Sequence, residues 1–120
     1  MRTAMVVDDS RGVREILRRL LVLQGFKVQD CGTCADARAL VAAHRFAFAT
    51  VDLTLPDCDG IGLIQHIIDV SPTTKVLVAT GRGTDTWVPA ALEAGAVDVI
   101  YKPFEFSALL EGLRRAGLAQ

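Results

Sequence analysis

The sequence predicts an α/β fold: a single open sheet of five parallel strands, doubly wound, with helices on both faces. Two observations carry this. Short β-rich apolar runs alternate five times with segments of helical apolar spacing, the pattern of repeated βα units. The strand-like runs are nearly continuous in apolar residues, as in Lys75-Val-Leu-Val-Ala-Thr80, which suits strands buried on both faces. A length of 120 residues with 51% hydrophobic content fits one domain, 1–120, with a full core. Disorder, collagen and coiled coil are excluded on the same composition.

The elements follow in order. Ala4–Val7 is a short strand ending in acid. Arg11–Gln24 is a helix with Val13, Ile16, Leu17, Leu20 and Leu21 at helical spacing, Ser10 as its N-cap and Gly25 as its stop. Phe26–Cys31 is the second strand, with Phe26 and Val28 alternating. Thr33, with Asp36 three residues on, caps a helix running to about His44. Phe46–Leu53 is the third strand, followed by a Pro/Asp/Gly loop at Pro56–Gly60 and a helix over Ile61–Val70. Lys75–Thr80 is the fourth strand. A loop at Gly81–Thr84 leads to Asp85, a cap for a helix ending at Gly95, with Pro89 in its first turn. Val97–Tyr101 is the last strand and Phe106–Ala116 the last helix, with Leu109, Leu110 and Leu113 inward.

Charge narrows the partners. Thirteen Lys and Arg stand against fourteen Asp and Glu, a formal net charge of −1 with pI about 6.1. A general polyanion binder carries a basic excess, so direct nucleic-acid binding is not expected. No apolar run approaches the ~18 residues of a membrane span. Acid interrupts the N-terminal apolar stretch too early for a signal peptide, so a cytoplasmic setting without membrane insertion is expected.

Open α/β sheets bind ligands beyond the carboxyl ends of their strands. At those ends stand Asp8 and Asp9, Asp52, Thr80 and Lys102. Three carboxylates, a hydroxyl and an ammonium therefore converge on one rim. Carboxylates about 4 Å apart repel by about 4 kcal/mol at an effective dielectric near 20. A small hard divalent cation, Mg²⁺, is the natural offset for such oxygen ligands. The acid pair also argues against a nucleotide-binding sheet, which places glycines and backbone donors after its first strand.

The constellation resembles the receiver domain of two-component response regulators along the whole chain. Val-Val-Asp8-Asp9-Ser is similar to the acidic pair of that family. Asp52-Leu-Thr-Leu-Pro56-Asp-Cys-Asp-Gly60 resembles its phosphoacceptor strand and loop, Thr80-Gly81 its switch hydroxyl, and Ala94-Gly95-Ala96 with Lys102-Pro103-Phe104 its closing segment. Overall the chain is similar to single-domain chemotaxis regulators. The resemblance implies a flavodoxin-like (βα)5 fold with strand order 2-1-3-4-5. It makes Asp52 the nucleophile toward a phosphoryl group carried by a histidine kinase or phosphotransfer protein. Asp9, Asp52 and the Thr54 carbonyl would ligate Mg²⁺, with Asp8 acting mostly through water. Lys102 and Thr80 would hold phosphoryl oxygens, and the Lys102–Pro103 bond would be cis. Such a domain is a regulatory module, not a conventional enzyme. It meets a downstream protein through the face from the fourth helix to the fifth strand, as a monomer or weak dimer.

Two positions depart from the family pattern. Val99 stands where Tyr or Phe is usual, and Tyr101 precedes Lys102 directly. Thr54 and Arg82 occupy the places that tune loss of phosphate. Other features admit two readings. Arg11, Arg14, Arg18 and Arg19 make a solvated face or a kinase-docking face, and Trp87 with Val88 is core or a partner patch. Cys31-Gly-Thr-Cys34 has the spacing of a redox pair, a remote alternative function, while Cys58 reads as loop packing. The chain is either a stand-alone receiver or the receiver half of a longer regulator or hybrid kinase whose output domain follows residue 120.

Overall fold

In the computed structural model, which describes residues 2–81 and 87–119, five parallel strands form one sheet in the order β2-β1-β3-β4-β5. The elements are β1 (Arg2–Val7), α1 (Arg11–Leu23), β2 (Phe26–Cys31), α2 (Cys34–Ala43), β3 (Phe48–Val51), α3 (Gly60–Val70), β4 (Lys75–Thr80), α4 (Trp87–Glu93), β5 (Asp98–Tyr101) and α5 (Phe106–Arg115). The expected loop from Gly81 to Thr84 and the Asp85 cap fall largely outside the described residues, as does Arg82.

Strand alternation splits the core into two layers. Met5, Val7, Ala49, Val51, Val76 and Val78 face α2, α3 and α4, meeting Ala37, Val41, Leu63, Ile67 and Ala91. Ala4, Val6, Phe48, Leu77 and Ala79 face α1 and α5, meeting Leu17, Leu21, Leu109 and Leu113. Leu110, expected inward, is half-buried. Val97 lies before β5 and packs in the α1/α5 layer with Ile100, whereas Val99 packs in the other.

The caps follow their sequence signals. Ser10 Oγ accepts from Val13 N, and Thr33 Oγ1 accepts from Asp36 N. Gly25 ends α1 at a φ of +88°, a conformation glycine adopts without steric cost. The cap of α3 is Asp59, whose Oδ1 accepts from Ile61 N, so that helix begins a residue earlier than its apolar pattern. β3 is two residues shorter than its apolar run at each end, although Ala47 N–H and Asp52 N–H still bond to β1 carbonyls. No helix among the described residues is long and apolar enough to cross a membrane.

Candidate functional site

The sheet delivers the charged residues directly. Asp8 N–H donates to the Cys31 carbonyl and Asp52 N–H to the Val7 carbonyl, each at 3.0 Å. Both residues thus continue the ladder one step past their strands. Lys102 N–H donates likewise to the Thr80 carbonyl at 2.9 Å. Rigid backbone therefore holds the two buried carboxylates and the lysine, and Asp9 adds an exposed carboxylate from the following loop. One oxygen from each of Asp8, Asp9 and Asp52 lies within 4.8 Å of the others.

Lys102 Nζ sits 2.5 Å from Asp8 Oδ2 and 3.0 Å from Asp52 Oδ2. The other oxygen of Asp52 accepts the Thr54 N–H at 3.0 Å and the buried Thr80 hydroxyl at 3.3 Å. Burial pushes the Asp8 carboxyl above its ordinary value, against the opposing pull of Lys102 and the Ser10 amide. Burial also works to lower Lys102, but its bonds to Asp8 and Asp52 outweigh this and hold its ammonium above the usual value. The two partners differ because Asp8 is the deeper, with a side chain 1% exposed against 20% for Lys102. Desolvation decides on one side and the ion pair on the other. Three carboxylates against one ammonium leave a formal excess of two negative charges. That excess, on hard oxygen donors, fits a divalent cation such as Mg²⁺.

The expected rim residues Asp8, Asp9, Asp52, Thr80 and Lys102 come together. Thr54 reaches the site through its N–H, and an isolated bridge to Asp59 closes the loop behind it. The Lys102–Pro103 peptide is cis. Beside it lies an apolar recess of about 310 Å³ lined by Val13, Ile16, Lys102, Pro103 and Phe104. On the edge strand, Tyr101 pairs in register with Thr80 and is 44% exposed. Trp87 is half-buried against the α2/α3/α4 layer.

Sequence reasoning missed three supports. Arg14 Nη1 donates to the Asp8 carbonyl at 2.6 Å while its Nε holds Asp30 at 3.1 Å, and Arg18 pairs with the same aspartate. Two arginines of the face read as solvated or kinase-docking are thus structural, and Arg14 positions the acidic loop. Gly60, the first residue of α3, lies directly on the Asp52 carbonyl and the Leu53 Cα, leaving no room for a side chain. Asp57 receives the Cys34 and Ala35 amides at 2.8 and 3.0 Å, capping α2 from another loop. Those amides hold its carboxyl below the ordinary value.

The cysteine pairing is a correction. Cys34 forms a disulfide with Cys58, 24 residues away, rather than pairing with Cys31. Cys31 is buried on β2, and desolvation pushes its thiol up to about 11. The Cys31–Cys34 spacing, a remote alternative, is thus not a pair, and Cys58, read as loop packing, is bonded because the β3–α3 loop packs on α2.

Comparison with known proteins agrees with this geometry. The family model "Response regulator receiver domain" matches residues 4–114. The chain is 31% identical over 114 residues to the chemotaxis protein CheY of Thermotoga maritima, covering 92% of this chain and 93% of that one. It is 33% identical to the transcriptional regulatory protein FixJ of Rhizobium meliloti, covering 95% of this chain but 56% of FixJ. A Burkholderia pseudomallei response regulator, solved with a phosphorylated aspartic acid, calcium ion and citrate, superposes with a TM-score of 0.89. It is 30% identical, over 98% of this chain and 69% of that chain. With the family model matching residues 4–114, nearly its full length, this chain belongs to the response regulator receiver domain family.

Proposed function

We propose that Asp52 is the phosphoacceptor and that the chain is a phosphorylation-controlled binding module. The observation that carries this reading is the environment of one carboxylate. Asp52 alone among the rim acids has an ammonium on one oxygen and a hydroxyl and an amide on the other.

In the proposed reaction an Asp52 oxygen attacks the phosphorus of a phosphohistidine on a histidine kinase or phosphotransfer protein. The P–N bond breaks, and the imidazole leaves as the acyl phosphate forms. Asp9, Asp52 and the Thr54 carbonyl would hold Mg²⁺, with Asp8 one water further out. The cation supplies charge neutralisation that lets a phosphoryl group approach three carboxylates. Lys102 then exchanges its contact with Asp52 for a phosphoryl oxygen, as a compact charge on a flexible stem can. The Thr80 hydroxyl donates to a second phosphoryl oxygen. Its shift is transmitted to α4 and β5, where Leu92 and Tyr101 are exposed and a downstream protein binds. The recess between α1 and Pro103 suits docking of the donor.

Incubation with Mg²⁺ and a small phosphodonor, followed by intact mass, tests this. Wild type gains one phosphate; Asp52→Asn does not, and EDTA suppresses the gain. The same yield of label in Asp52→Asn would refute the assignment. A second reading follows from FixJ, of which the chain matches 56%: the same module working as the receiver part of a longer regulator. Reading the parent gene past residue 120 separates the two.

A further inference from the structure

Outside the proposed phosphoacceptor site, one cluster among the described residues brings reactive groups together: Cys34, Asp57 and Cys58, whose ligand atoms lie within 4.8 Å of one another. Cys34 is the buried first residue of α2, and Cys58 is a half-buried residue of the β3–α3 loop. Their Cα atoms are 6.1 Å apart, a separation a disulfide spans without backbone movement. The juxtaposition has a support besides the sulfurs. Both Asp57 oxygens are bonded to backbone amides of α2, which keeps Cys58 beside Cys34 when the bond is open. Those bonds also engage both carboxylate oxygens, which argues against a metal site here.

The same loop holds Asp52. Thr54 N–H donates to Asp52 Oδ1, Thr54 bridges to Asp59, and Gly60 N–H returns to the Leu53 carbonyl at 3.1 Å. Cys58 sits inside this turn. We propose that Cys34 and Cys58 form a reversible thiol–disulfide site, exchanging with a small disulfide of the oxidised-glutathione class, whose closure clamps the loop that holds Asp52.

The half-buried Cys58 reacts first. Its thiolate attacks one sulfur of the small disulfide, the external S–S bond breaks, and one small thiolate leaves. The Cys34 thiolate then attacks Cys58 Sγ and expels the second small thiolate. Two electrons pass from the cysteine pair to the external disulfide, and the two protons lost by the cysteines end on the two small thiols. Cys31, buried and bonded through its thiol to the Thr33 carbonyl, takes no part.

The test equilibrates the full chain in glutathione buffers of graded redox ratio, with thiol alkylation, intact mass and peptide mapping. Oxidising buffers are expected to remove two of the three thiols, link the Cys34 and Cys58 peptides, and leave Cys31 alkylatable after unfolding. For a bridge 24 residues apart, the melting temperature should rise by about 10 °C on closure. Cys58→Ser should abolish that rise, and Cys31→Ala should retain it. A Cys31–Cys34 link, glutathione left on Cys58 as the end product, zinc held stoichiometrically by the reduced protein, or no thermal gain would overturn the site. Its effect on Asp52 rests on the phosphoacceptor reading and is read separately. The clamped form should label at least about threefold faster with a small phosphodonor, because its loop is preorganised. Equal rates overturn the coupling. Absence of label in both forms refutes the phosphoacceptor reading, while thiol count and melting temperature still decide the redox site.

Discussion

Adding a single methyl group at two glycines of α3 should change stability in opposite directions. At Gly60 a Cβ would lie 2.6 Å from the Leu53 Cα and closer still to the Asp52 carbonyl oxygen, where ordinary contact begins at 3.4 Å. The overlap is about 0.8 Å against the Cα, and both neighbours are backbone, so no rotamer change relieves it. Overpacking of this kind costs about 1–3 kcal/mol, and alanine returns at most about 1 kcal/mol through helix propensity. Because the loop itself must shift, Gly60→Ala should lose about 2 kcal/mol, or roughly 6–10 °C in melting temperature. Gly62, two residues on, has nothing within 4 Å of where an added Cβ would sit. Gly62→Ala should therefore gain about 0.5–1 kcal/mol. Urea unfolding with an unchanged m value reads both. Gly60→Ala should also label Asp52 more slowly, since the displaced backbone carries the proposed phosphoacceptor. A Gly60→Ala protein as stable as wild type, or a Gly62→Ala protein less stable, would refute this account of how α3 seats on the site.

Asp9→Asn removes one of three crowded carboxylates; it should raise the melting temperature by a few degrees without Mg²⁺ and reduce the gain on adding it, and an unchanged Mg²⁺ response places the ion elsewhere. The lowered pKa of Asp57 contributes stability that is present above its ordinary value and lost as pH falls through the folded-state value. The stability difference between wild type and Asp57→Asn should therefore be constant well above the ordinary carboxylate value and shrink as pH falls below it, in acid titrations followed by circular dichroism. A pH-independent difference argues against the charge. Trp87 fluorescence should respond to beryllofluoride and Mg²⁺ in wild type and not in Thr80→Ala; a response that survives the substitution rejects transmission through Thr80.

The legible parts of this protein are those written locally. Ser10 and Thr33 announce their helices because a cap acts within three residues, and the five strands announce themselves by continuous apolar runs. The rim residues were readable for a related reason: a parallel sheet sends every strand end to the same side, so Asp8, Asp52, Thr80 and Lys102 converge without any contact being known. What remained hidden acts across the fold. Arg14 on the Asp8 carbonyl, Gly60 on the Asp52 backbone and the Cys34–Cys58 bond each join segments that no periodicity connects. The spacing Cys31-Gly-Thr-Cys34, a remote alternative in the sequence, carries no bond because β2 buries one sulfur and α2 turns the other toward the next loop, where Cys58 is more than loop packing.

The cap that Asp57 provides has a consequence for the order in which the chain acquires its structure. A helix usually closes its first turn with residues already beside it, as Ser10 does for α1. In α2 the Cys34 and Ala35 amides wait for a carboxylate 23 and 22 residues downstream. On a growing chain they stay bonded to water until β3 and the turn beyond it have emerged. The full cap of the second helix thus depends on a segment that follows the third strand. Closing that segment costs entropy before any contact repays it, so the local Thr33 cap can start α2 while its first two amides are expected to be satisfied only later. Exchange of those two amides with solvent deuterium therefore reports opening of the β3–α3 loop, and only the later amides of α2 report the helix itself.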